Sequence, residues 1–120
     1  TMKSTPECPA ERAIYFLGGK WKIRIVFLLY QNKKNRFGEI KKWFKTITQQ
    51  MLSKQLKELE IDGLINRKVY QVVPPKVEYS LTEFGTSVIP ILKSFSDWNK
   101  KNSRVISSKL NKNFEESRIR

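Results

Sequence analysis

The sequence predicts a mainly α-helical domain closed by a small β-hairpin, and three observations carry that expectation. From Arg36 to Asp62, RFGEIKKWFKTITQQMLSKQLKELEID reads as a helix, a tight turn and a second helix. After Gly63 the apolar period changes from helical to alternating, over Leu64 to Tyr70 and again over Val77 to Leu81. Between those strands Pro74 and Pro75 fix a stiff extended loop that cannot continue a ladder.

Each element follows from its local chemistry. Pro9 suits the first position of a helix to about Leu17, because that N–H has no helical partner, and Gly18-Gly19 supplies the stop. A second helix, about Lys20 to Tyr30, carries Trp21, Ile25, Leu28 and Leu29 as a stripe that Ile23, Val26 and Phe27 widen nearly all round. Such a helix belongs in the centre of a fold. Gln31 to Asn35 reads as a polar turn, and Phe37 to Phe44 as a short helix with Phe37, Ile40 and Phe44 on one side. Thr46-Ile47-Thr48 turns the chain, with Thr48 as N-cap of a helix that ends near Gly63. From the N-cap Thr82 a long helix is expected to about Lys100, kinked or broken at Pro90, which lacks a backbone donor. Val105, Ile106 and Leu110 extend its pattern before KNFEESRIR frays. Three helices followed by a hairpin make a winged helix-turn-helix, here with extra N- and C-terminal helices.

The helix after Thr48 has two opposed faces. Leu52, Leu56 and Leu59 recur at i, i+4 and i+7, a stripe for burial. Gln50, Ser53, Lys54 and Lys57 cluster opposite, with no carboxylate among them, and Glu58 and Glu60 come only later. A groove-reading helix needs this layout, since its early residues meet base edges while its apolar back is held by the domain. An ordinary amphipathic helix with a solvated basic face is the plain alternative. Composition favours the first reading. The 120 residues hold 24 Lys+Arg against 11 Asp+Glu, a net charge of +13, which creates a field suited to nucleic acid or an anionic surface.

Other classes find little support. There is no histidine, so imidazole metal sites and His-based catalysis are absent, and one cysteine forms neither an intrachain disulfide nor a Cys-rich zinc site. No catalytic residue, metal site or cofactor is expected. Gly18-Gly19-Lys20 lacks the first glycine and the following Ser/Thr of a phosphate-binding loop. No run approaches a membrane span, and TMKSTPECPAER lacks the apolar centre of a signal peptide, so a cytoplasmic protein with no membrane partner is expected.

Apolar helix surface exceeds what a small domain needs. Phe84, Val88, Ile91, Leu92, Phe95 and Trp98, with Ile14, Phe16 and Leu17, form either a dimer seam or a well-filled core. Cys8, just before Pro9 at a helix start, is favoured as a thiolate by the helix dipole and by Arg12 one turn away, and opposed by Glu7. A small hydrophobe that merely packs is the competing role.

Several motifs occur together and in order: Cys8-Pro9 with Glu11-Arg12, Gly18-Gly19-Lys20-Trp21-Lys22, Arg36-Phe37-Gly38-Glu39-Ile40, Met51-Leu52 with Gln55 to Glu60, Asp62-Gly63-Leu64-Ile65, Val73 to Tyr79, and Leu81 to Gly85. From about Cys8 to Trp98 the chain resembles the HxlR-type family of bacterial winged helix-turn-helix transcriptional regulators. The resemblance implies a homodimer joined through its first and last helices on an inverted-repeat operator. It also implies that a cysteine at the position of Cys8 can sense oxidants, quinones or aldehydes. The chain departs from the family by lacking a second cysteine, which leaves an intersubunit disulfide or modification of a lone thiol, and by a longer Lys- and Ser-rich end.

The expected organisation is a winged domain with its dimerisation helices over 8–100 and a basic extension over 101–120. The expected partners are double-stranded DNA, a second copy of the chain and a small electrophile or oxidant. Thr48, Gln49, Gln50, Ser53, Lys54 and Lys57 are assigned to the major groove and adjacent phosphates, because Gln pairs with the adenine edge and Lys with guanine or phosphate. Arg36 and Lys76 are assigned phosphate or minor-groove contacts that position rather than specify, and Arg67 and Lys68 flank the hairpin near the same backbone. The alternatives are a non-specific basic module for nucleic acid or an anionic surface and, more remotely, a thiol enzyme using Cys8.

Overall fold

A computed structural model describes residues 7–119, with side chains to residue 113. The first six residues, part of the segment read as lacking the apolar centre of a signal peptide, lie outside the described residues, as does Arg120. The elements are α1 (Pro9–Tyr15), α2 (Lys22–Asn32), β1 (Lys34–Arg36), α3 (Phe37–Trp43), α4 (Gln49–Ile61), β2 (Ile65–Tyr70), β3 (Lys76–Leu81), α5 (Glu83–Ser87), α6 (Ile89–Lys101) and α7 (Ser103–Ile119). The chain divides into two compact units, one ending at Ile89 and one beginning at Pro90.

The core of the first unit is apolar and comes from the stripes read in the sequence. Ile25, Val26 and Leu29 of α2, Ile40 of α3, and Leu52, Leu56 and Leu59 of α4 are fully buried, with Ile47, Leu64 and Ile65 close behind. Trp21 packs edge-on to Phe44 with ring centroids 5.8 Å apart, fixing the start of α2 against the turn after α3. Thr48 caps α4 as expected, its Oγ1 accepting the Met51 N–H at 3.0 Å. Gly63, at φ 80°, ends α4, and the Leu64 N–H returns to the Leu59 carbonyl at 2.9 Å, so an otherwise unpaired helix carbonyl is satisfied.

The hairpin has a third strand. The residues read as a polar turn instead extend α2 to Asn32 and, after Lys33 at φ 68°, form β1. The sheet order is β1-β3-β2, antiparallel throughout, with Lys34 opposite Ser80 and Arg36 opposite Glu78. Lys34-Asn35-Arg36 has no apolar alternation, and its pairing is supplied by β3 rather than by its own side chains. Asn35 is nevertheless buried, and its Oδ1 accepts from Asn32 Nδ2 at 3.2 Å.

The long helix expected from Thr82 is broken into α5 and α6 at Val88, just before Pro90. Proline cannot donate to the carbonyl one turn earlier, which ends the first ladder. In the second unit α6 gives way at Asn102 to α7, which runs helical to Ile119, where the sequence predicts fraying from Lys112. No glycine or proline follows Pro90 to stop it.

Candidate nucleic-acid interface

α4 presents the face that the spacing implied. Leu52, Leu56 and Leu59 are at most 1% exposed, whereas Gln49, Gln50, Ser53, Lys54 and Lys57 all face solvent. Thr48 is exposed at the head of the helix, where its hydroxyl already serves as the cap. Of the two carboxylates later in α4, Glu60 is exposed near the C-terminal end of the helix and Glu58 is paired with a neighbouring helix. The Glu58 Oε1 lies 2.9 Å from the Lys22 ammonium of α2. The hydrogen bond from Lys22 holds the Glu58 carboxyl below its ordinary value against the opposing effect of burial, with the Lys22 and Lys54 charges adding to the lowering. The exposed surface of α4 therefore begins with amides, a hydroxyl and ammonium groups, a donor-rich surface for base edges and phosphates.

The sheet adds a second basic surface. Side chains directly opposite in antiparallel strands share a face. One face carries Asn35, Tyr79, Ile65, Val77 and Leu81, buried or half-buried, with Arg67 and Val69 exposed on the same face of the edge strand β2. The other carries Lys34 and Arg36 from β1, Asn66, Lys68 and Tyr70 from β2, and Lys76, Glu78 and Ser80 from β3. The pairing of β1 with β3 thus brings Arg36 and Lys76, forty residues apart in sequence, onto one surface. Arg36 is also the N-cap of α3, where its backbone N–H donates to Glu39 Oε1 at 2.7 Å. Lys76 is partly engaged, with its ammonium 3.3 Å from Glu78 and 4.9 Å from the Tyr70 ring centroid. Lys68 stands over the same ring at 4.9 Å. Arg67 projects from the opposite face. Lys34 is the site residue that sequence reasoning missed, since a three-residue polar strand leaves no periodic signal.

Cys8 is exposed at the N-cap of α1. The backbone N–H groups of Glu11 and then Ala10 hold its thiol below the ordinary value, with slight burial opposing them. These amides, rather than the Arg12 guanidinium, supply the lowering. Among the described residues no three His, Cys, Asp or Glu side chains gather to hold a metal ion, and no helix is long and apolar enough to cross a membrane.

Residues 16–107 match the model of the HxlR-like helix-turn-helix family. The chain belongs to that family. It is similar to the HTH-type transcriptional regulator YdeP of Bacillus subtilis, 51% identical over 94 residues that make up 78% of this chain and 73% of YdeP. Among solved structures it is similar to the redox regulator HypR in its reduced form, with a TM-score of 0.79 and 44% identity over 84% of this chain and 99% of that one. It is also similar to the reduced form of the transcriptional regulator YodB from B. subtilis, with a TM-score of 0.72 and 35% identity over 80% of this chain and 94% of that one. This HxlR-family chain is a helix-turn-helix transcriptional regulator, and α3 and α4 are its helix-turn-helix.

Proposed function

We propose that the protein is a cytoplasmic homodimer that binds an inverted-repeat operator in double-stranded DNA, with one α4 in the major groove of each half-site. The observation that carries this reading is the division of α4 into a buried leucine back and an exposed, carboxylate-free front formed by Gln50, Ser53, Lys54 and Lys57. Gln50 and Lys54 read base edges, Thr48, Gln49, Ser53 and Lys57 complete the groove and phosphate contacts, and Arg36 and Lys76 position the duplex through its backbone.

Dimerisation is supported by apolar surface that a lone chain leaves in water. Ile14, Tyr15 and Phe84 are at least half exposed in the first unit, as are Ile91, Phe95, Trp98, Val105 and Leu110 in the second. Cys8 is the proposed sensor of an oxidant, quinone or aldehyde, because its thiol is accessible and its thiolate is favoured by backbone donors. That HypR is a redox regulator is consistent with this role.

The test is selection of bound duplexes from a random pool, followed by competition at fixed salt. The winning sequence should be an inverted repeat bound at least about 10³-fold more tightly than random duplex. Equal affinity for both would instead make the protein a non-specific basic module.

A further inference from the structure

The outer face of the sheet holds four cations and one carboxylate. Arg36 lies directly across from Glu78 on β1 and Lys68 directly across on β2, while Lys34 and Lys76 stand one step along the same face. The Lys34 and Lys76 ammonium groups lie 3.9 and 3.3 Å from different Glu78 oxygens. The Glu78 side chain is only 12% exposed, and all three strands contribute to its surroundings. The Tyr70 hydroxyl donates to it, Lys76 adds a second hydrogen bond, and with the Lys34 charge they hold the carboxyl below its ordinary value despite its burial.

We propose that Glu78 is a specificity-determining residue that occupies Lys34 and Lys76 as an internal substitute for phosphate, holding down affinity for random DNA. The inference rests on the DNA-binding reading above. Two acceptor oxygens at ion-pair distance from two ammonium groups imitate what a phosphate offers. A DNA phosphate must therefore displace Glu78 before it gains those lysines, and releases fewer counterions in doing so. In the operator complex the pose is fixed by α4 on base edges, so the sheet face gains only the backbone contacts of Arg36 and Lys76 that this pose allows. On random duplex the pose is free, so the molecule turns whichever surface is most cationic towards the backbone. Removing the carboxylate charge from the sheet face therefore adds more to random binding than to operator binding.

The experiment compares the full-length wild type, Glu78→Gln and Glu83→Gln on a random duplex and on the selected operator across a salt series. Glu83, exposed on α5, carries the same charge change away from the sheet face. Glu78→Gln should tighten random binding severalfold, steepen its salt slope by about 0.9 for each phosphate gained, and narrow the operator-to-random ratio. Glu83→Gln should do none of these. Lys34→Gln in the wild-type background is a second measurement that keeps Glu78 in place. It should cost less random affinity than Lys54→Gln, because the Lys34 charge is partly offset by Glu78. Equal tightening on both DNAs, an unchanged slope in Glu78→Gln, or a Lys34→Gln loss as large as that of Lys54→Gln would overturn the proposal. Absence of any operator preference in the wild type would instead overturn the reading on which it rests, independently of how the variants rank on random DNA.

Discussion

The Lys22 ammonium on α2 lies 2.9 Å from the Glu58 carboxylate on α4, a tie between the central helix and the helix proposed to read the groove. The lysine is largely covered and the glutamate about one-third exposed, so the pair is partly shielded from solvent. Lys22→Met should destabilise the fold by about 1 kcal/mol, the upper end for pairs of this exposure. It should also weaken DNA binding, because Glu58 is freed beside Lys54 and Lys57. Glu58→Gln combined with Lys22→Met should recover the binding but not all of the stability. Chemical denaturation and a binding titration of the three variants separate the two effects.

The same pair sets a pH dependence. Glu58 has its folded pKa lowered, so its contribution to stability is present above the unfolded value of about 4.3 and is lost as pH falls through the folded one. Wild type should therefore exceed Glu58→Gln in melting temperature at neutral pH, and the gap should close in the acid range below about pH 4. A gap that widens on acidification contradicts the assignment.

Gly85 fixes how α5 meets the sheet. A Cβ there would collide with the Leu64 carbonyl oxygen, which already accepts the Thr82 N–H at 3.0 Å. Gly85→Ala should cost about 1–3 kcal/mol in denaturation, as overpacking does. Gly38→Ala on α3, where the space is open and φ is helical, should be neutral or stabilising by up to about 1 kcal/mol.

Sedimentation equilibrium at micromolar concentration should give a species of twice the 14.2 kDa chain mass, matching the two half-sites of an inverted repeat. Phe95→Glu or Trp98→Glu should shift it towards monomer and weaken operator binding together. A wild type that stays monomeric removes the proposed seam.

Cys8 has its own test. Graded oxidant or quinone should change operator affinity in wild type and leave Cys8→Ser unchanged, with alkylation of the wild-type thiol accelerating as pH rises towards its lowered pKa. The same response in both proteins, or a thiol that resists alkylation, removes Cys8 as the sensor.

How much of this was legible in the chain depends on which force shaped each element. α4 was legible because burial of Leu52, Leu56 and Leu59 at helical spacing leaves one direction for everything else, and Thr48 and Gly63 mark its ends chemically. The break before Pro90 was legible because a missing N–H is a local fact. β1 was not, because Lys34-Asn35-Arg36 is held by pairing with Ser80, Tyr79 and Glu78, more than forty residues onward. The basic sheet face depends on that pairing, so Arg36 and Lys76 could be named singly while their shared surface, with Lys34 and Glu78, could not. The tie from Lys22 to Glu58 is likewise a contact between two helices that neither helix announces.

The most direct test of the central claim, that the exposed front of α4 reads base sequence, is parallel selection from one random pool by wild type and Gln50→Ala, with Lys54→Ala alongside. Each variant should lose preference at particular half-site positions, keep it elsewhere, and bind the wild-type operator about 1–3 kcal/mol more weakly. Identical selected sequences and undiminished affinity in all three proteins would contradict that claim.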